Sequence, residues 1–353
     1  MTSGDNERSF ADNQSEPDME YGGSARLVDV AREAGVAIAT VSRALNNPLR
    51  VNAKTRMHVL EVAKRLGYTA NAMASSLRSG QSHIVLVIMP PWRSFNMLDP
   101  VLYGIDSELM RAGYSMIVGN LGDERQDDTR LMKLAGGGLV DGILAITQEA
   151  KAGGDVTELA GRLPMVGVLV DLSGLGVPSF VTDERGGTRE LTSLLIARGC
   201  RRLMYISGPV GHYHDNQRQA GFDDVVRQTS SPLSTVHIEG NYTYEAGVRA
   251  AEALLAMSKR PDGVVATSDA MAIAFIDRLR QAGVRVPEDV AVCGFDDISG
   301  AAYCTPSLTT YRQPLTEMGA SSARLLLSMM GDDSRPGGVC HVVPGHVVRR
   351  ESA

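Results

Sequence analysis

From residue 83 onward, short apolar runs alternate with stretches of helical character, and this texture constrains the fold more than any other feature. The runs occupy 84–89, 116–118, 142–146, 165–170, 203–206, 263–267 and 290–293. Between them, 100–112, 187–197, 244–257 and 270–282 read as helices. A strand that is apolar on successive residues must be covered on both faces, and intervening helices supply the cover. The pattern therefore predicts doubly wound α/β sheets. About 270 residues are too many for one such sheet and suit two, with a ligand cleft between two lobes.

Residues 26–68 read instead as three short helices. The first, 27–34, places Leu27, Val30, Ala31 and Ala34 at the i, i+3, i+4, i+7 spacing of one buried face and stops at Gly35. The second, about 38–45, turns Val41, Ala44 and Leu45 inward and stops at Asn46-Asn47-Pro48. The third follows Asn52 as N-cap and runs through Val59, Leu60, Val62, Ala63 and Leu66 to Gly67. Two helices joined by Gly35-Val36-Ala37 have a helix-turn-helix outline. Ala31 is small where the helices would cross, and Val36 plugs the space between them. Ile38, Ala39, Ser42 and Arg43 then fall on the outer face of the second helix.

Charge divides along the same lines. Residues 25–80 carry nine bases and three acids, whereas residues 1–24 carry six acids and one base. The overall charge of -6 hides this contrast. A basic segment beside an acidic body suits a polyanion-binding head on a body that does not bind polyanions. The polar first 24 residues read as a disordered acidic tail and not as a secretory signal. No run approaches the roughly 18 apolar residues of a membrane span. The four cysteines, Cys200, Cys293, Cys304 and Cys340, show neither CxxC pairing nor metal-ligand spacing, so free thiols in the cytoplasm are expected.

The residues that carry a family likeness lie in both parts. In the head they are Leu27-Val-Asp-Val-Ala-Arg-Glu-Ala-Gly-Val36, Ala39-Thr-Val-Ser-Arg-Ala-Leu-Asn46, Ala53-Lys-Thr-Arg56, Leu66-Gly-Tyr68 and Asn71-Ala-Met-Ala-Ser-Ser-Leu77. In the body they are Arg218-Gln-Ala-Gly-Phe222, Thr267-Ser-Asp-Ala-Met-Ala272, Val292-Cys-Gly-Phe-Asp-Asp297, Leu308-Thr-Thr310 and Val348-Arg-Arg350. Together they resemble the LacI/GalR family of bacterial transcription regulators. The resemblance implies a helix-turn-helix DNA-binding head over 25–70, a hinge helix and linker over 71–82, and a periplasmic-binding-protein-like core over 83–353. The core's N-subdomain is expected at about 83–182 and 311–336, and its C-subdomain at about 183–310 and 337–353. The implied protein is a homodimeric regulator of double-stranded operator DNA, with no cofactor, whose small-molecule effector is of the sugar class.

For DNA, the second helix would enter the major groove. Arg43 either bonds guanine O6 and N7 or contacts phosphate. Ile38 and Ala39 are apolar and suit thymine methyls. Thr40, Ser42, Asn46 and Asn52 suit phosphate, with helix capping as the other reading of Asn52. Lys54, Thr55 and Arg56 add charge and N–H groups at a helix N-terminus. Tyr68 and Asn71 complete the set. By the resemblance, Ala74 and Leu77 present one face of a hinge helix whose leucine wedges into the minor groove; the other reading packs Leu77 on the core. Two departures stand out. Ala37 replaces the family's usual Ser cap, a loss worth typically about 1 kcal/mol. Arg26 stands where a capping Thr is common, with Ser24 near enough to substitute.

For the effector, Arg218 matches the family's ligand-contacting Arg. Asp171, Asp269 and Asp296 follow apolar runs at strand carboxyl ends, where α/β clefts bind ligands. Trp92 and Tyr242 offer aromatic faces. Asp269 and Asp297 could instead cap the following helices, and Trp92 could pack at a dimer interface. His212 and His214 are expected on a surface loop, with no third metal ligand at a recognisable spacing. An enzyme is disfavoured by the absence of G-x-S-x-G, a P-loop and G-x-G-x-x-G after the first strand. A sugar-binding receptor without a DNA role is the remaining alternative, and the basic head argues against it.

Overall fold

The structure is a computed structural model that describes residues 25–46, 50–68, 81–89, 97–120, 133, 135–146, 155–331 and 336–353. It divides into two compact units, residues 1–78 and 79–353. In the first, α1 (Leu27–Glu33), α2 (Ile38–Asn46) and α3 (Ala53–Arg65) enclose a small core. Val30, Ala31, Ala34, Val41, Ala44, Val59, Val62 and Ala63 are buried there, with Leu27, Val36, Leu45, Leu66 and Tyr68 packed around them. The apolar spacing read from the sequence is the spacing that meets at this core. Gly35 takes φ +64° after α1, and the Val36 N–H donates to the Ala31 carbonyl, closing the turn into α2. At the start of α1, the Arg26 N–H donates to Asp29 Oδ2 at 3.0 Å. The acid in the first turn thus reaches back over the N-terminus without a hydroxyl cap.

The second unit holds two six-stranded sheets. The elements, in chain order, are β1 (Ile84–Met89), α4 (Asp99–Arg111), β2 (Ser115–Asn120), β3 (Gly142–Ala145), α5 (Asp155–Arg162), β4 (Met165–Val168), β5 (Ser179–Thr182), α6 (Glu184–Arg198), β6 (Arg202–Ile206) and α7 (Tyr213–Gln228). They continue with β7 (Ser234–Ile238), α8 (Tyr244–Ala256), β8 (Gly263–Ala266), α9 (Asp269–Gln281), β9 (Ala291–Asp296), β10 (Thr309–Arg312), α10 (Leu315–Gly331), β11 (Cys340–Val343) and β12 (His346–Val348). The first sheet has the order β11-β5-β4-β3-β1-β2 and the second β12-β10-β9-β8-β6-β7. Every pairing is parallel except β10 with β12.

Both faces of each sheet are covered, as the unbroken apolar runs require. In β1, Val85 and Val87 join the core under α4 and α10, while Leu86 and Ile88 join the opposite core. In β6, Leu203 and Tyr205 pack with α6 and α7, while Met204 and Ile206 pack with α8 and α9. Helices approach closely where a glycine removes the side chain. A Cβ on Gly104 of α4 would stand 2.1 Å from the Thr316 carbonyl oxygen of α10. One on Gly221 of α7 would stand 2.3 Å from that of Arg185 on α6.

The sheet assignments correct the expected lobe boundaries at their last two crossings. Residues 309–312 form β10 of the second sheet, so the return to the first lobe falls after Arg312, not at 311. Residues 340–343 form β11 beside β5 in the first sheet, not in the second lobe as expected for 337–353. The physical reason is that β5 would otherwise be an open edge, and Cys340–Val343 pairs along it residue for residue. Among the described residues the chain therefore passes between lobes three times, at 182–184, 312–315 and 343–346. These passages are bonded together: the Asp183 N–H donates to the Val343 carbonyl, and the Gly345 N–H to the Tyr311 hydroxyl at 2.7 Å.

Candidate functional site

The head exposes one face of α2. Ile38 is 49% exposed, Ala39 and Arg43 are exposed, and Thr40 and Ser42 are half-buried. The Arg43 Nε donates to the Ala39 carbonyl at 3.0 Å, one helical turn back. Asn46 is the last residue of α2. Asn52 caps α3, its Oδ1 accepting from the Lys54 N–H at 2.9 Å. That oxygen is thereby committed to the helix. Lys54 and Arg56 are exposed and Thr55 is half-buried on the same first turn. Tyr68 is half-buried, its ring packed on the head's core and its N–H donating to the Ala63 carbonyl. Asn71, Ala74 and Leu77 lie outside the described residues.

In the second unit, residues at the carboxyl ends of β8 and β9 and at the start of α6, just after β5, meet at Arg218. Position 218 lies in the second turn of α7 and its side chain is almost wholly buried. The guanidinium donates through Nη1 to the Thr267 carbonyl and through Nη2 to Glu184 Oε1 at 3.3 Å. Asp296 Oδ1 stands 3.7 Å from Nη2. The Phe295 ring lies 3.9 Å beneath the guanidinium carbon, which fixes the plane of the group. Asp296 ends β9 with φ 118°, and Asp297 and Tyr242 also take left-handed φ values, 56° and 66°. Non-glycine residues hold such angles at a cost, so this end of the sheet is locally strained.

Glu184, on the first turn of α6, holds the arrangement together from below. Its Oε1 also bonds His214 Nδ1 at 2.7 Å. Burial alone would raise the Glu184 carboxyl, but the charges of Arg218 and His214 outweigh it and hold it below its ordinary value. Burial pushes Asp296 up to about 6, with Arg218 opposing. His212 is pushed down to about 4 by burial and then by the neighbouring charges, so its ring is neutral at pH 7. The His212 ring stands 5.1 Å from that of His214 and 5.9 Å from that of Tyr242. Among the described residues, Glu184 Oε2, Arg218 Nε, His212 Nδ1 and Tyr242 Oη are buried polar atoms with no hydrogen-bond partner. Their gathering in one place marks a position that a polar molecule would satisfy.

Asp296 also accepts from Gln313 Nε2 at 2.7 Å, and Gln313 Oε1 accepts from the Thr182 hydroxyl at 2.7 Å. The cluster is thus tied to two of the three passages between lobes.

The other expected effector residues fall differently. Asp269 is fully buried, and both oxygens are engaged, by the Thr310 hydroxyl at 2.5 Å and the Ile298 N–H at 2.9 Å. It ties α9 to β10 and the loop after β9 and is not presented to a ligand. Asp171 is half-buried, and its Oδ1 accepts from the Ser173 N–H and hydroxyl. Asp297 pairs with Arg312 and Arg350 at 2.5 and 2.7 Å. Trp92 lies outside the described residues. The expectation of a surface loop at His212 and His214 is corrected, because both rings are half-buried beside Arg218.

Glu184, His214, Gln313 and Phe295 went unread in the sequence as site residues. Glu184 follows a strand carboxyl end, the rule that selected Asp296, but β5 is four residues long and follows a proline, so it was not read as a strand. His214 lies four residues before Arg218, on the same face of α7, and that spacing was available as a signal.

Comparison with known proteins agrees with both units. Residues 26–71 match bacterial regulatory proteins of the lacI family, and residues 192–353 match a periplasmic binding protein-like domain. The HTH-type transcriptional repressor CytR of Escherichia coli (strain K12) is 30% identical over 312 residues, 87% of this chain and 90% of that protein. A Lac repressor dimer bound to operator and the anti-inducer ONPF superposes with a TM-score of 0.80 at 25% identity, over 94% of this chain and 99% of the other. A transcriptional regulator CelR–cellobiose complex superposes with a TM-score of 0.65 at 29% identity, over 93% and 100% of the two chains. With a helix-turn-helix head and a two-sheet core aligned nearly end to end with these regulators, the chain belongs to the lacI family of bacterial regulatory proteins.

Proposed function

We propose that this protein is a homodimeric repressor whose affinity for a specific operator is set by a small hydroxyl-bearing effector, of the sugar class, bound around Arg218. The observation that carries the reading is the cluster of unpartnered buried polar atoms on Glu184, Arg218, His212 and Tyr242, linked by the Arg218–Asp296 ion pair and the Asp296–Gln313–Thr182 hydrogen bonds to the passages between lobes. A ligand that completes this cluster binds one lobe arrangement better than another and shifts the population between them. The cellobiose complex of CelR and the operator complex of the Lac repressor support the two halves of this reading.

The head would read bases through the exposed face of α2, with Arg43 the candidate base contact and Ile38 and Ala39 against thymine methyls. Ser42, Thr40, Asn46, Lys54, Thr55 and Arg56 would position the phosphates, and Asn71, Ala74 and Leu77 the minor groove. A homodimer is favoured because one small basic head binds weakly and without much selectivity. The first lobe offers a surface for it: Tyr103 and Met110, seven residues apart on α4, are 69% and 68% exposed, and Ile117 and Val118 are exposed on edge strand β2.

The test is selection of the full chain against random duplex DNA, followed by an effector screen on the selected operator. An enriched palindrome, released or tightened by a sugar in wild type but not in Arg218→Ala, is the expected result. No enrichment at modest ionic strength would remove the regulator reading, and a normal response in Arg218→Ala would remove the site.

A further inference from the structure

We propose that Glu184 is a specificity residue that makes the cleft accept uncharged, hydroxyl-bearing ligands and reject anionic ones such as phosphorylated or carboxylated sugars. The inference rests on the effector reading above and deepens it.

A buried arginine in a ligand cleft ordinarily suggests an anion, because a guanidinium offers paired donors to phosphate or carboxylate. Here Nη1 and Nη2 each already hold an acceptor, and Nε alone is left without one. Nη1 is spent on the Thr267 carbonyl and Nη2 on Glu184, with Asp296 beside it. Two carboxylates face one guanidinium, and both are almost entirely buried. At pH 7, with Glu184 and Asp296 ionised, the four groups sum to zero if His214 carries a proton and to one negative charge if it does not. Neither state leaves a positive surplus for an incoming anion, and His212 contributes none because its ring stays neutral at pH 7.

The unpartnered atoms point the same way. Glu184 Oε2 only accepts, Arg218 Nε only donates, and Tyr242 Oη and His212 Nδ1 can do either. A hydroxyl both donates and accepts, so a ligand with adjacent hydroxyls can satisfy Oε2 and Nε together. A phosphate dianion only accepts and would meet Oε2 with like charge in a buried site. Glu184 sets this polarity twice over. One oxygen neutralises Arg218, and the other confronts the ligand.

The experiment compares matched pairs on the full chain by thermal shift and calorimetry: ribose with ribose 5-phosphate, glucose with glucose 6-phosphate, and cytidine with cytidine monophosphate. In wild type the uncharged member of at least one pair binds, and its phosphorylated twin binds roughly 100-fold more weakly or not at all. Glu184→Gln, which keeps the shape and removes the charge, narrows that ratio by about tenfold or more. A phosphorylated twin that binds wild type as tightly as its partner overturns the proposal, as does an unchanged ratio in Glu184→Gln.

Inorganic phosphate supplies a second arm that needs no cognate ligand. Millimolar phosphate, against chloride at matched ionic strength, leaves the melting temperature of wild type unchanged. It raises that of the Glu184→Gln, Asp296→Asn double variant, in which Arg218 is no longer neutralised. Stabilisation of wild type by phosphate that disappears in Arg218→Ala overturns the proposal, whether or not the double variant folds. Failure of the regulator reading is distinguishable. An uncharged ligand that binds without altering operator affinity removes that reading and leaves this one, whereas a phosphorylated ligand that binds and alters operator affinity does the reverse.

Discussion

Arg43 and Asp296 carry the most testable chemistry of single residues. Arg43 is exposed on the outer face of α2, with its Nε anchored to the Ala39 carbonyl. Arg43→Ala is expected to weaken operator binding by about 1–3 kcal/mol and to relax preference at one base position. Competition with single-base operator variants reads this, and an equal loss on all sequences would identify a phosphate contact. Asp296 makes a prediction about pH. Burial lifts its carboxyl in the folded chain to about 6, above the unfolded value, with Arg218, Glu184 and His214 around it and Asp269 close by. The folded state therefore binds a proton that the unfolded chain does not in the window between those values. The contribution to stability is full at low pH and is lost as pH rises through about 6. Chemical denaturation of wild type against Asp296→Asn should show wild type gaining on the variant as pH falls from 7 to 5. A constant difference between them would place the carboxyl in its ordinary range.

At the scale of elements, the site depends on how closely α6 and α7 approach. Glu184 starts α6, Arg218 lies on α7, and Gly221 lets the two helices touch. Gly221→Ala would bring a methyl within 2.3 Å of the Arg185 carbonyl oxygen, so the helices must separate. A cost on the order of 1–3 kcal/mol is expected from urea denaturation. Effector affinity should fall further than operator affinity, because the Glu184–Arg218 contact spans the same gap. Titration of both ligands on folded protein checks this, and parallel losses would show that the gap is not part of the site.

Elements also show what the sequence could reveal. The strands with unbroken apolar runs, β1, β3, β4, β6, β8 and β9, were legible because two-sided burial leaves no polar alternation to obscure them. The four-residue strands β5, β10 and β11 and the three-residue β12 were not. β5 and β10 are largely buried but carry Ser179 and Thr182, or Thr309 and Thr310, where an apolar run would stand, and β11 and β12 are partly exposed; pairing with a distant segment, not local composition, makes them strands. That failure propagated to Glu184 and Gln313, which are placed by β5 and β10. Asp296 was legible because β9 was.

For the whole molecule, the prediction concerns association. The inner side of α4 packs on α10 through Gly104, while Tyr103 and Met110 project from the other side. The Tyr103→Glu, Met110→Glu variant is expected to shift a dimer to monomer in sedimentation and to weaken operator binding while leaving effector binding intact. A wild type already monomeric at micromolar concentration would rule out this surface as the dimer contact. The three passages between lobes bear on biosynthesis. Each sheet receives an edge strand, β11 or β12, from residues 340–348. A ribosome that has not yet reached residue 340 therefore holds two unfinished sheets. Neither lobe can close ahead of the other, and a nonsense codon near position 338 would injure both at once.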